Sequence, residues 1–472
     1  MKFPPPHDLA PLAGSAAAPL YRQIYARFRD AIAKGVLKPG GRIPAARALA
    51  KELGVARGTV ETAYALLGAE GYIQPRGQAG TIVTPGLKPQ AAAVAAPAAA
   101  RTAAVDAWLS PAALLPFQMG MPALDAFPRK LWARLGARYL RGMQAADLMY
   151  PPPHGLPALR TAIAAHLQVA RGIQCAPEQV FVTTGYRGSL QLIAQALLQA
   201  GARAWVEDPG YPPTRELLAQ AGIDAAPVAV DADGMQVAQG LAQHPDAQAA
   251  IVTPAHQSPL CMSLSLPRRQ ALLDWARQRK AWIVEDDYDG EYRYASRPLP
   301  ALKSLDRHGR VLYSGSFSKV LFPGIRLAYL VVPTALVPRF EHVNQVLGAG
   351  APGLAQAMVS QFMTEGHFAR HIQRMRKLYA ERRQATAAGL AAAFGSRMHI
   401  DPQPGGMHLV VRLAGRASDA RLADRMLEHG LYAQALSRWS SAMGPRGLML
   451  SFTNIASRQQ AEEFGRRIVA LL

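Results

Sequence analysis

Short apolar runs recur over residues 180–333 with amphipathic stretches between them, and this alternation narrows the choice of fold more than any other feature of the chain. In Val180-Phe181-Val182, Trp205-Val206, Ile251-Val252, Ala281-Trp282-Ile283-Val284 and Val311-Leu312-Tyr313 consecutive residues are apolar. Such runs suit strands buried on both faces, which helical crossovers produce. An α/β fold with a doubly wound, mostly parallel sheet is therefore expected. A long amphipathic helix should start at Gly353, followed by a smaller C-terminal α/β part with strands near 407–413 and 447–452. A chain of 472 residues exceeds one ordinary core, so two or three domains are expected.

The first eighty or so residues read differently. Leu20, Ile24, Phe28 and Ile32 fall on one helical face, and Gly35 with Pro39-Gly40 ends that helix. Residues 47–53 predict a second helix, Gly54-Val55 a tight turn, and 57–69 a third helix with Val60, Tyr64 and Leu67 inward, which is helix-turn-helix spacing. Arg57, Gly58, Thr59 and Thr62 are left outward at the start of the third helix, where base edges and phosphates of double-stranded DNA are met. Tyr72-Ile73 and residues 81–83 predict a two-stranded wing with Arg76 near its tip. Lys and Arg outnumber Asp and Glu by 11 to 5 over residues 1–86. The domain boundaries expected are 1–86 for DNA binding, 87–107 for an alanine- and proline-rich linker whose alanines could also be helical, and 108–472 for a larger domain. Within the last, a main part is expected over about 120–335 and a small part over about 350–472.

The net charge of +20 favours a polyanionic partner without deciding it. Cys175 and Cys261 are too few for a disulfide framework or a multi-cysteine metal site, so no metal is expected and a reducing compartment is. With no secretory signal and no apolar run near the ~20 residues that span a bilayer, a soluble cytoplasmic protein is expected.

Chemistry concentrates around Lys319, in Ser314-Gly315-Ser316-Phe317-Ser318-Lys319 with Arg326 seven positions on. An amine beside small hydroxyls and a guanidinium suits an aldehyde cofactor that carries a phosphate, pyridoxal 5'-phosphate, with Lys319 as the Schiff-base residue and Ser316 and Arg326 on the phosphate. Asp286, at the end of a buried-strand pattern, suits the ring nitrogen, and Tyr288 the ring oxygen; Asp287 and Glu285 are expected to be structural, because clustered acids repel one another. Gly185, Tyr186 and Arg187 run from strand into helix, where free N–H groups receive phosphate. Tyr211 is the candidate to stack on the ring. His256 or Gln257 could reach the ring oxygen or could be satisfied loop residues. Arg438 is the candidate for an effector carboxylate, a surface arginine being the other reading.

Particular motifs carry a resemblance. Pro19-Leu20-Tyr21-Arg22-Gln23-Ile24, Gly40-Gly41-Arg42-Ile43-Pro44, Arg47-Ala48-Leu49-Ala50, Thr59-Val60 with Tyr64, and Glu70-Gly71-Tyr72 resemble the GntR-type winged helix, which implies Arg42 and Arg47 as further DNA contacts. Gly155-Leu156-Pro157-Ala158-Leu159-Arg160, Glu207-Asp208-Pro209-Gly210-Tyr211, Glu285-Asp286-Asp287-Tyr288-Asp289, Ser316-Phe317-Ser318-Lys319 and Glu365-Gly366-His367-Phe368-Ala369-Arg370-His371 resemble fold type I aminotransferases, from about Phe117 onward. The whole chain resembles the MocR group of regulators, which joins the two. That resemblance implies a homodimer in which cofactor, or cofactor with an amine or amino acid, alters operator binding. Departures fall at Ala45-Ala46, at Ala56-Arg57-Gly58, at Tyr150-Pro151-Pro152-Pro153-His154-Gly155, at Thr184-Gly185-Tyr186-Arg187, at Leu260-Cys261 and at Ala328. They alter operator contacts in the winged helix and the pocket walls in the large domain. The leading expectation is a transcription regulator that senses pyridoxal phosphate or an amino compound. The alternatives are a working aminotransferase with a DNA-binding appendage and a scaffold that has lost its cofactor.

Overall fold

The computed structural model describes residues 18–77, 80–87, 114–294, 300–348, 350–403, 405–415, 417–441 and 444–472. The chain divides into two compact units, Met1–Pro111 and Ala112–Leu472. The linker expected over 87–107 lies, beyond Leu87, outside the described residues, as do Gln78 and Ala79 of the wing.

In the first unit, α1 (Leu20–Ala33), α2 (Ala46–Leu53) and α3 (Arg57–Ala69) precede the wing strands β1 (Ile73–Pro75) and β2 (Thr81–Val83). Ile24, Phe28 and Ile32 meet Leu49, Val60, Ala63 and Leu67 in one core, closed by Ile73 and Val83. Tyr64 is partly buried, and its hydroxyl donates to the Pro44 carbonyl at 2.9 Å. β1 and β2 pair antiparallel, Ile73 opposite Val83, and Arg42 bridges to Ile82.

The second unit is built on β3 (Val180–Thr183), β4 (Arg203–Asp208), β5 (Asp224–Asp231), β6 (Gly234–Met235), β7 (Ala249–Val252), β8 (Trp282–Asp287), β9 (Val311–Ser316) and β10 (Ala328–Val331). Their order across the sheet is β3-β10-β9-β8-β7-β4-β5-β6. β9, β8, β7, β4 and β5 are mutually parallel, whereas β10 opposes both its neighbours and β6 opposes β5. Opposed twice across β10, β3 points the same way as the parallel set. Successive side chains enter different cores: Val311 joins Ile283 and Val252, Leu312 joins Phe181 and Leu330, and Tyr313 joins Val180 and Val182. Burial on both faces is why these runs are apolar throughout.

A second, antiparallel sheet follows, β11 (Met398–Ile400), β12 (His408–Leu413), β13 (Gln434–Ala435) and β14 (Leu448–Ser451), in the order β11-β12-β14-β13. The single long helix expected from Gly353 is in fact two, Gly353–Thr364 and His367–Phe394. Gly366 breaks them with φ +72°, a left-handed conformation that glycine adopts without strain. Phe362, Phe368 and Ile372 enter one core from either side of the break, so apolar residues continue through it and conceal it. The far end of His367–Phe394 packs Leu390 and Phe394 against Leu409 and Leu450 of the second sheet. Among the described residues no helix is long and apolar enough to cross a membrane.

Candidate functional site

β3, β4, β7, β8 and β9 all end at one edge of the main sheet, and β10 begins there. The register brings the loops together: Ala328 lies opposite both Ser316 and Thr183, and Asp286 opposite Ser314. Ligand sites of α/β sheets form at this edge.

Lys319 stands in the loop after β9, partly buried, its Nζ donating to the Gly120 carbonyl at 2.9 Å. Burial pushes its pKa below the ordinary lysine range, while the carboxyls of Asp289 and Asp286 pull it back. Asp286, at the end of β8, is buried, and its Oδ1 has no hydrogen-bond partner. Burial drives its carboxyl far above the usual range; Asp287, Asp289 and Glu207 add to the rise and Lys319 opposes it. The Tyr288 hydroxyl is also shielded, with the Ser258 side chain as a polar neighbour short of a well-formed hydrogen bond. The neighbouring acids are used within the fold. Glu285 accepts from the backbone N–H groups of Leu302 and Lys303, both at 2.8 Å, and Asp287 pairs with buried Arg171 at 2.8 Å while accepting from the Tyr313 hydroxyl at 2.6 Å. Asp286 Oδ1 and Asp289 Oδ2 are the free carboxyl oxygens near the lysine; with Asp289 held by His256, the Asp286 oxygen fits a pyridine nitrogen and the Tyr288 phenol a ring oxygen.

A second group surrounds the start of helix Tyr186–Leu197. Gly185 caps it with φ +102°, a conformation strained for other residues, and no side chain caps the helix's first N–H groups. A Cβ at Gly185 would lie 3.9 Å from the Arg326 guanidinium carbon. Backbone donors, Arg326 and the hydroxyl of Ser316, which accepts from Ser318 N at 3.1 Å, thus fit a phosphate. Tyr186 is bonded through its hydroxyl to Thr214 Oγ1 at 2.7 Å, and Arg187 is exposed. Tyr211 packs near Tyr186 and Trp439, ring centroids 6.0 and 5.7 Å away. Burial raises its phenol's pKa, with the Arg187 charge opposing and the Asp286 charge adding.

Three candidates have other partners. His256 contacts Asp289 Oδ1 through Nδ1 at 3.0 Å, and its buried Nε2 is without a partner. Gln257 donates to the carbonyls of Pro209 and Ser258 at 2.8 and 2.9 Å and accepts from Leu260 N at 2.9 Å, so its amide is taken up in tying the local loops together. Arg438 is exposed and pairs with both carboxylate oxygens of Asp424, at 2.8 and 2.7 Å, rather than with any residue around Lys319. The sequence reading gave no role to Asp289, Gly120 or Trp439. Asp289 belongs to the visible acidic cluster and could have been found; Gly120, 199 positions from Lys319, carries no local signal.

In the first unit, Arg57, Gly58 and Thr62 are exposed at the start of α3 and Thr59 partly so, with Arg42, Arg47 and Arg76 also exposed. Arg57 pairs with Glu61 at 2.7 Å, and the Thr62 hydroxyl donates to the Gly58 carbonyl at 2.8 Å.

Comparison with known proteins agrees with this division. Residues 20–83 match the gntR family of bacterial regulatory proteins, and residues 123–451 match the aminotransferase class I and II family. The chain is 36% identical to the probable rhizopine catabolism regulatory protein MocR of Rhizobium meliloti, over 95% of this chain and 92% of that one. It is 32% identical to the HTH-type pyridoxine biosynthesis transcriptional regulator PdxR of Corynebacterium glutamicum, over 91% of each. Among solved structures it resembles LysN, the α-aminoadipate aminotransferase of Thermus thermophilus complexed with N-(5'-phosphopyridoxyl)-L-leucine, with TM-score 0.69, 28% identity and coverage of 76% of this chain and 92% of that one.

Proposed function

This chain belongs to the MocR group of transcription regulators, a gntR-family winged helix joined to an aminotransferase class I and II domain, and we propose that pyridoxal phosphate held at Lys319, alone or with an amine, sets its DNA affinity. Asp286 carries the reading: a buried acid with one oxygen unpartnered, close enough to Lys319 for each charge to bias the other. When bound, pyridoxal phosphate supplies an aldehyde for an amine and an electron-withdrawing ring. Lys319, its pKa lowered by burial, offers the amine that attaches the aldehyde. Asp286 holds the proton on the ring nitrogen in a charge-assisted hydrogen bond, and the Tyr288 hydroxyl donates to the ring oxygen. Tyr211 covers a ring face, and the N–H groups from Gly185 to Arg187, with Ser316 and Arg326, hold the phosphate. His256 acts at one remove by orienting Asp289. Arg438 receives an effector carboxylate only by leaving Asp424.

On the DNA side, Arg57, Gly58, Thr59 and Thr62 meet the major groove, Arg42 and Arg47 the phosphates, and Arg76 the flank of the wing. The protein works in the cytoplasm as a homodimer. Leu148, Met149 and Tyr150, exposed by 76, 72 and 101%, supply an apolar run that a second copy would cover. Ligand then acts by linkage, shifting DNA affinity only as far as it binds two domain arrangements unequally. A working aminotransferase is the second reading, favoured by the position of Lys319 beside Asp286 and Asp289, since a lysine amine in such a site can also move a proton. Titrating the purified protein with pyridoxal phosphate, with absorbance and DNA binding followed together, tests the proposal. The expected result is a shifted absorbance band and a change in DNA affinity, both lost in Lys319→Ala. Wild-type protein that stays colourless overturns the proposal, and steady keto-acid production from amino acids replaces the sensor with the enzyme.

A further inference from the structure

The winged helix accounts for a minority of this chain's positive excess. Lys and Arg number 13 against 6 Asp and Glu in Met1–Pro111, and 39 against 26 in Ala112–Leu472. One helix of the second unit, Arg129–Gly142, carries five cations and no acid. Its inner face fixes it firmly, with the Trp132 ring edge-on to Phe127, Phe322 and Phe362 at centroid distances of 5.6, 5.5 and 5.7 Å. Lys130, Arg134, Arg138 and Arg141 follow one another at helical spacing on the outer face. Arg138 pairs with Glu365, but Arg129, Lys130, Arg134 and Arg141 are exposed and, among the described residues, have no acidic partner.

Helix stability does not account for this placement. Arg129 and Lys130 occupy the first turn, which has no acid and no capping side chain, and there the helix's own field repels cations. A small anion would need donors that converge; these lie along a line of about 16 Å. Over such a length a duplex presents a charge every ~1.7 Å of its axis. We propose that the outer face of Arg129–Gly142 is a second DNA contact, made to the phosphate backbone without regard to sequence. The proposal rests on the DNA-binding reading above, and DNA is favoured over an anionic membrane because the same chain already carries a DNA-binding module.

The test uses the full-length protein and the variant Lys130→Gln/Arg134→Gln/Arg141→Gln, whose glutamines keep helix propensity. Fluorescence anisotropy with a random-sequence duplex of about 60 base pairs, over a series of salt concentrations, gives the slope of log affinity against log salt. A slope smaller by about 2 to 3 is expected in the triple variant, and an unchanged slope overturns the contact. Arg57→Ala is measured in parallel. A weaker complex there with no slope change in the triple variant removes the helix contact and leaves the winged-helix reading standing, whereas wild-type protein that binds no DNA removes both. Loss of binding to phosphatidylglycerol vesicles with an unchanged DNA slope assigns the face to a membrane and likewise overturns the proposal. Should the triple variant melt early, Arg134→Gln alone decides, with an expected slope loss of about one.

Discussion

Asp286 and Glu207 sit in one buried acidic group but face opposite demands. Asp286 lacks a partner for one oxygen, whereas Glu207 accepts from the Thr253 hydroxyl at 2.5 Å and from its backbone N–H at 3.3 Å. Asp286→Asn keeps the shape and removes an acid whose ionisation burial and the neighbouring acids disfavour, so the cofactor-free protein should melt no lower than wild type. Pyridoxal phosphate should nevertheless bind about 10- to 100-fold more weakly, for the loss of a charged hydrogen bond worth about 1.5–3 kcal/mol. Melting and titration of the one variant check both halves; equal affinity removes Asp286 from the ring nitrogen. Burial pushes the Glu207 carboxyl up to about 7, from an ordinary value of 4.5. Folded protein therefore holds this proton more tightly than unfolded chain does. The stabilising effect is complete below the unfolded pKa and is lost as pH rises toward about 7. Glu207→Gln should flatten the fall in stability across that window, where one group contributes a slope of at most about 1.4 kcal/mol per pH unit. Denaturant titrations at several pH values would show it.

Ala56 is the N-cap of helix α3, with extended geometry and no side chain able to cap it. Ala56→Ser should stabilise the first unit by about 1 kcal/mol, measured by denaturant unfolding. Arg57→Ala one residue on should weaken operator binding by about 1–3 kcal/mol if the side chain reads a base, or lower the salt slope by about one if it meets phosphate. No change in either measure removes it from the contact list. Elements such as α3 and β8 were legible because their signals are local: apolar spacing in one, a run ending in Glu285-Asp286-Asp287 in the other. The break at Gly366 was not, since Phe362 and Phe368 enter a single core from either side of it and apolar residues run on through it. Around Lys319 the chemistry could be read from residue types, but not the carbonyl of Gly120 that receives its amine, nor the buried Arg171 that occupies Asp287. Those partners come from distant segments, and β10, lying antiparallel between β3 and β9, brings Arg326 to Gly185 in a way no local pattern announces.

At the scale of the whole molecule, linkage makes the two sites reciprocal. If pyridoxal phosphate changes DNA affinity by some factor, saturating DNA must change pyridoxal phosphate affinity by the same factor. Calorimetric titration of the cofactor with and without operator checks this, and unequal factors would mean that the two are not in one equilibrium. Within the second unit, His371 lies in the first turns of the helix His367–Phe394, and its Nε2 is 2.9 Å from the carbonyl of Val320, next to Lys319. Burial pushes the imidazole's pKa down to about 4, so the ring is neutral near pH 7 and Nε2 donates to that carbonyl. The helix has 28 residues, a rod about 42 Å long. Its other end is clamped into the antiparallel sheet through Leu390 and Phe394. One continuous helix therefore joins the antiparallel sheet to the peptide beside Lys319, as a long handle joins a hand to a small latch.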